Sequence, residues 1–426
     1  MEITVEQAIA NLQEELKAEL LSDIVPYWLN NTVDHKNGGF IGRITYDNEP
    51  VFDAGKGAIL TARVLWTFSS IYRRIQKEEY RTMADHAYKY LTSKLWDEEY
   101  GGVYWMVTAN GEPKDTRKHV YVQAFAIYAL SEYYLAFHKE EALEQAKELY
   151  HLIEDKCTDS ENGGYYESYT YAWQLMDDVR LSDKDINEPK SMNTHLHVLE
   201  AYTNLYRCWP DELVAERLSQ LIDIFAGHIV NPERSSMHTF LGEDWEPRSD
   251  EISFGHDIEA SWLLIEAAEV LGNYPRREEV KSISLSLAKA VMKDGLDQNG
   301  GLLNEADSSG ITDDNKDWWP QAEAIVGFYN AWQLTGDPEF LAASCSVWDF
   351  IQKYVLDKKY GEWHEKVTRM GVPHKLDKVR SWKCPYHNSR AVLEILARSE
   401  NSQNILSPSK LGELIQVNTT SKKEKS

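Results

Sequence analysis

Apolar positions along the chain recur at helical spacing in paired segments. "ILTARVLWTFSSIYRRI" from Ile59 and "EYRTMADHAYKYLTSKLWD" from Glu79 are one such pair, and the spacing predicts two helices joined as a hairpin. A glycine turn and a short aromatic ribbon follow. The turns read "NGGF" at Gly38-Gly39, "YGGVYW" at Gly101-Gly102, "NGGYYE" at Gly163-Gly164, "NGGLLNE" at Gly300-Gly301 and "YGEWHE" at Gly361, with "FLGEDWE" around Gly242 as a degenerate copy. These define six units of about 60 residues.

A lone hairpin leaves one apolar face uncovered, so six of them must share a core. The economical solution is an all-α ring of six inner and six outer helices, an (α/α)6 barrel with short β-ribbon loops at one rim; an open solenoid is the alternative. In a closed ring the inner helices run the same way and their N-termini gather at that rim, which is where chemistry is expected. The pattern predicts a single catalytic domain over residues 1–398. It is lost from 399 to 426, which is expected to be a disordered C-terminal tail.

Composition narrows the partners. A net charge of −24 opposes nucleic acid and anionic membrane surfaces, which need clustered Lys and Arg. No stretch approaches the roughly 18 apolar residues of a membrane span. The start, "MEITVEQAIANLQEELKAELLSDIV", is acidic and helix-periodic, unlike a signal peptide. Cys157, Cys208, Cys345 and Cys384 show no CxxC spacing and are expected to be reduced thiols. A cytoplasmic protein, monomeric or weakly dimeric, acting on a small neutral molecule is therefore expected. The 14 tryptophans and 24 tyrosines suit stacking on sugar C–H faces, although aromatic residues are by default core.

The candidate chemistry lies at the helix starts. "FGHDIEASWLL", "WKCPYHNSRA" and "NTHLHVLEAY" put His256, His387 and His197 near helix N-termini, where the dipole disfavours imidazolium and keeps the ring able to accept a proton. His195 and His197, two apart, lie roughly 200° apart on a helix, so one at most faces the axis. Asn193 and His197, four apart, share a face, and His195 is read as packing. In "HDIE", His256 and Glu259 at i,i+3 could form a carboxylate-supported base. In "DWWPQAE", Trp318, Trp319 and Glu323 share a junction, with one tryptophan expected to pack between hairpins. Arg63 and Lys56 offer cations at the first inner helix, where a solvated charge is the default. Metal is not signalled, because the three histidines come from separate units without compact ligand spacing.

Together "NEPVFDAGKGAILTARVLWTFS", "NTHLHVLEAYTNLYR", "FGHDIEASWLL", "WWPQAEA" and "WKCPYHNSRA" resemble the cellobiose 2-epimerases of the N-acylglucosamine 2-epimerase superfamily, over about residues 10–398. The resemblance implies an (α/α)6 barrel and cofactor- and metal-free inversion of C2 in the reducing-end glucose of β-1,4-linked disaccharides. It implies acid/base roles for His256 and His387, with His197 as the third active-site histidine. It further implies Asn193, Arg63, a histidine-supporting Glu259 and a substrate-stacking Trp382, together with Trp318, Trp319 and Glu323. The expected tyrosine is assigned to Tyr121, with Tyr128 nearby. Gly55 in "DAGKG" departs from the proline expected in many relatives. Other readings on the same barrel are an N-acylglucosamine 2-epimerase, a mannose/glucose isomerase, an inverting glycoside hydrolase using Glu259 and Glu323, or a non-catalytic sugar binder.

Overall fold

The computed structural model describes residues 4–405, and side chains through Glu400. Residues 406–426, which hold most of the expected tail, lie outside the described residues; the last described helix, Tyr386–Ile405, runs past Ser399.

Six helices are buried nearly all round: Ala58–Arg74, Val120–Phe137, Met192–Cys208, Phe254–Leu271, Trp318–Thr335 and Tyr386–Ile405. Each packs on the next, and the sixth returns to the first. Six others lie outside them, each buried along one stripe only. Glu140–Lys156 buries Ala142, Leu143, Ala146, Leu149, Tyr150 and Ile153, the i, i+3, i+4 spacing of a helix covered on one side. Its first turn carries Glu140 and Glu141 and its last turn Lys156, which complements the helix dipole. The N-terminal helix, Val5–Glu19 continued through Leu20–Ile24 into Val25–Asn31, packs on the last inner helix and on the outer helix Pro338–Phe350. Trp348 Nε1 donates to Glu15 at 2.8 Å and Trp363 Nε1 to Glu19 at 2.9 Å. The first and sixth units therefore meet, which makes the molecule an (α/α)6 barrel and not an open solenoid.

The rim is belted by very short antiparallel strands. Lys56–Gly57, Lys118–His119, Lys190–Ser191, Ile252–Ser253 and Lys316–Asp317 each lead into an inner helix and each pairs with a strand of the following unit. The Ile44–Val379 bridge closes the belt. Outer helices such as Glu78–Tyr90 and Arg277–Ala290 end in a five-residue π-helical turn, a local widening that sequence periodicity does not report.

The glycine turns share an ion pair. Lys56, Lys118, Lys190 and Lys378 each lie 2.7 Å from Asp34, Asp97, Asp159 and Asp357 respectively, and Lys316 lies 3.1 Å from Asp297. Both partners are buried in every case but one, Asp297 being half-buried. Lys56 is thus a structural cation, not the substrate-facing one considered from sequence. In the fourth unit Asn231 takes the aspartate's place, accepting from Glu233 N and Arg234 N as Asp34 accepts from Lys36 N and Asn37 N. Ile252 takes the lysine's place. Both charges are absent together, as expected where one buried charge alone would be costly.

Asp97→Ala, which leaves Lys118 buried and unpaired, should cost about 3–5 kcal/mol. The double substitution Asp97→Asn with Lys118→Ile copies the fourth unit and should recover most of that loss. Urea unfolding measures both.

Candidate functional site

The first turns of the inner helices converge on the axis at the belted rim. His256 is the third residue of its helix and His387 the second of the sixth inner helix, while His197 lies a turn deeper in the third. Trp319 touches two of these rings, its own ring centroid 4.6 Å from that of His256 and 5.6 Å from that of His387. Asn193, Ser253, His256 and Trp319 line a cavity of about 260 Å³, roofed by the segment from Val179 to Glu188. A larger cavity, about 1000 Å³, opens at the opposite mouth. Its Arg73 and Arg207 are taken by Glu132 and Glu266, and Tyr128 borders it.

Each histidine has a defined Nδ1 partner. His387 Nδ1 is 2.7 Å from Glu323 Oε1 and His197 Nδ1 is 2.9 Å from Glu200 Oε2. A carboxylate accepts the Nδ1 proton and leaves Nε2 as the basic atom. His256 differs from the sequence reading. Its Nδ1 lies 2.7 Å from Ser253 Oγ, and Glu259 instead accepts from Arg390 at 2.5 Å. Helical side chains lean toward the N-terminus, so His256 reaches the rim residue Ser253 while Glu259, a turn deeper, meets the buried guanidinium. The expected Asn193–His197 pair is also replaced, by His197–Glu200. Asn193 Oδ1 has no protein partner.

Arg390 was not singled out from sequence, yet it is the hub. It donates through Nη2 to Glu259 and, at 2.7 Å, to Glu323, and through Nη1 to Glu200 and the Tyr386 hydroxyl. Four inner helices meet there. Ligand atoms of Glu259, Glu323 and His387 come within 4.8 Å of one another, a grouping able to hold a metal ion; the Arg390 guanidinium already bridges the two carboxylates and supplies positive charge there. Arg390 follows His387 at i,i+3 in an apolar helix, the one signal that could have pointed to it.

Arg63 Nη2 donates to Tyr121 Oη at 2.9 Å, and its guanidinium lies 4.3 Å from the Phe125 ring centroid and 5.0 Å from that of Tyr386. Tyr121 meets His197 edge-on at 4.9 Å and Trp382 at 5.7 Å. Tyr121, not Tyr128, is therefore the tyrosine beside the histidines. Trp382 is half-buried. Trp318 is buried, its indole N–H without a partner, and it packs behind His387 while Trp319 faces the cavity. His195 is structural: its Nε2 accepts from Tyr165 N at 3.0 Å and its Nδ1 meets Ser191 O at 2.7 Å. Its ring also occupies the space a side chain at Gly164 would need.

The electrostatics favour neutral rings. Burial, with His197 adding, pushes His256 down to about 3. Burial, then Arg63 and Arg390, holds His387 well below its ordinary range. Burial also lowers His197, against the opposing pull of Glu200. Burial would raise the Glu200 carboxyl, but Arg390 and His197 outweigh it and hold it at about 2. The site thus presents neutral imidazoles beside a cation, Arg63, which suits proton abstraction next to a carbonyl whose oxygen gains negative charge.

Among known proteins, the model of the N-acylglucosamine 2-epimerase (GlcNAc 2-epimerase) family matches residues 39–391. Cellobiose 2-epimerase of Bacteroides fragilis is 44% identical over 387 residues, covering 90% of this chain and 98% of that protein. The enzyme of the same name from Dictyoglomus turgidum is 41% identical over 388 residues, covering 91% and 98%. The solved cellobiose 2-epimerase of Bacillus thermoamylovorans superposes with a TM-score of 0.88 at 42% identity, covering 91% of this chain and all of that one. No helix among the described residues is long and apolar enough to cross a membrane.

The buried rings predict acid sensitivity. His256 at about 3 and His195 at about 4 lie below the ordinary histidine value of 6.5, so the unfolded chain binds protons that the folded one refuses. Stability intact above about pH 6.5 should fall as pH drops toward 4. Tm measured from pH 7.5 to 4.5 should decrease, and less steeply in His195→Gln than in the parent.

Proposed function

From the premise that the chain belongs to the N-acylglucosamine 2-epimerase family, we propose that it is a cellobiose 2-epimerase. It interconverts the C2 configurations of the reducing-end sugar of β-1,4-linked disaccharides, cellobiose becoming glucosyl-mannose and lactose becoming epilactose. The observation that carries the reading is the pair of neutral imidazoles, His256 and His387, both against the Trp319 ring.

The reaction needs three events. The sugar ring opens to the aldehyde, because a C–H is acidified only beside a free carbonyl. A base then takes the C2 proton and the electron pair moves into a cis-enediolate. Return of a proton to the opposite face inverts C2. We assign ring opening to His387, and proton transfer to His387 and His256 on opposite faces. Glu323 supports His387 by accepting from Nδ1, which leaves Nε2 free to take a proton. Arg63 and His197 hold O1 and O2 and stabilise the enediolate. Trp382 stacks on the reducing sugar, with Tyr121 and Asn193 beside it; Trp318 packs behind His387 and Glu259 holds Arg390.

The inverting hydrolase reading lacks support. Its two carboxylates would stand roughly 6.5–9.5 Å apart to admit a water, whereas Glu259 and Glu323 come within 4.8 Å and share one guanidinium. The four cysteines are free thiols, in keeping with a cytoplasmic setting.

Incubation with cellobiose in D2O should give glucosyl-mannose carrying deuterium at C2, read by NMR; release of free glucose would overturn the reading. His256→Ala and His387→Ala should each lower kcat about 10²–10⁴-fold. Near-parental activity in His387→Ala would sink that assignment.

A further inference from the structure

Ser253 and Ser191 occupy the same place in successive units. Each is the second residue of a two-residue rim strand and the N-cap of an inner helix. A serine in that position ordinarily accepts from a backbone N–H of the first turn. Ser191 does so, accepting from Thr194 N at 3.1 Å. Ser253 makes no side-chain cap bond, although its backbone is extended like that of Ser191. Its hydroxyl is turned instead to His256 Nδ1, at 2.7 Å. The first helical N–H is met by the neighbouring loop, Phe254 N donating to Asn304 O at 3.2 Å, and pairing of Ser253 with Glu305 fixes the serine's backbone. A residue suited to capping has been diverted to a histidine.

We propose that Ser253 is a positioning residue for proton transfer by His256. This rests on the reading of His256 as one of the two proton-transfer groups. The Ser253 oxygen, free of capping, accepts Nδ1–H; the neutral ring is held as the tautomer whose Nε2 carries the lone pair. When the C2–H bond breaks, the proton goes to Nε2 and the electron pair into the enediolate, while Nδ1–H stays on Ser253. The two bases are thereby supported differently. His387 leans on the charged Glu323, which stabilises imidazolium, whereas His256 leans on a neutral hydroxyl. A proton captured by His256 is less stabilised and is returned more readily. The geometry also fixes the ring's tilt against Trp319, 4.6 Å away.

The test is Ser253→Ala beside Ser253→Thr, assayed with cellobiose. Ser253→Ala should lower kcat at least 10-fold with KM within 2-fold of the parent, a loss that removing an ordinary cap bond would not produce. Ser253→Thr keeps the hydroxyl and should restore most of kcat. In ¹⁵N-histidine spectra, the resonance missing from His256→Ala should report Nδ1–H in the parent and a tautomer mixture in Ser253→Ala. A lowered Tm with unchanged kcat in Ser253→Ala would overturn the proposal and make Ser253 an ordinary cap. If Ser253→Ala matches the parent while His256→Ala is inactive, the role of His256 stands and that of Ser253 falls. Parental activity in His256→Ala would instead remove the reading beneath both.

Discussion

One buried guanidinium ties the barrel axis together. Arg390 holds Glu200, Glu259 and Glu323 from three successive inner helices on a fourth, and the Tyr386 hydroxyl also accepts from it. Three carboxylates cannot be buried beside one another without a cation, and a buried guanidinium needs acceptors in several directions, which its planar fork can meet. Two of those carboxylates also orient histidines, Glu200 at His197 and Glu323 at His387. The cluster that makes the axis electrostatically tolerable is therefore the one that sets the imidazoles. A change at Arg390 would loosen helix packing and histidine orientation together.

The rim solves a different problem, that of placing helix starts in register around a ring. Lysine and aspartate pairs anchor the Gly turns in five units, and in four of them the lysine also bonds a glycine carbonyl. The fourth unit lacks both charges, and its helix carries His256. There Asp257, buried in the helix, accepts from Met237 N at 2.8 Å and helps fasten the same loop. The belt thus stays closed where its usual ion pair is missing, through backbone pairing and one helix carboxylate.

Between axis and rim lie the aromatic side chains that composition had singled out. Trp319 and Trp382 border the histidines and Arg63, while Trp66, Tyr128 and Tyr386 pack as a layer below them, with ring centroids 5.2 to 6.1 Å apart. That layer parts the upper site from the polar cavity at the opposite mouth. Flat rings serve here both as walls that exclude water and as a floor that fixes depth.

The fold was legible in the sequence because each unit repeats the same local physics: apolar spacing for two helices and glycines where the turn demands positive φ, as at Gly39 and Gly102. Six copies announced the barrel, and the gathering of helix starts led directly to His197, His256 and His387. The structural role of His195 was also legible, since helical geometry alone forbids it the face of His197. The pairings were not. The i,i+3 spacing of His256 and Glu259 is the same as that of His197 and Glu200, yet only the second pair bonds. Arg390, 131 residues beyond Glu259 and 190 beyond Glu200, holds both carboxylates; the difference is that His256 is turned to Ser253 at the rim while His197 keeps its contact with Glu200. Local spacing states which side chains can meet on one helix. Which do meet is decided by buried charge, and a buried charge selects its partners from every element that the closed ring brings to the axis.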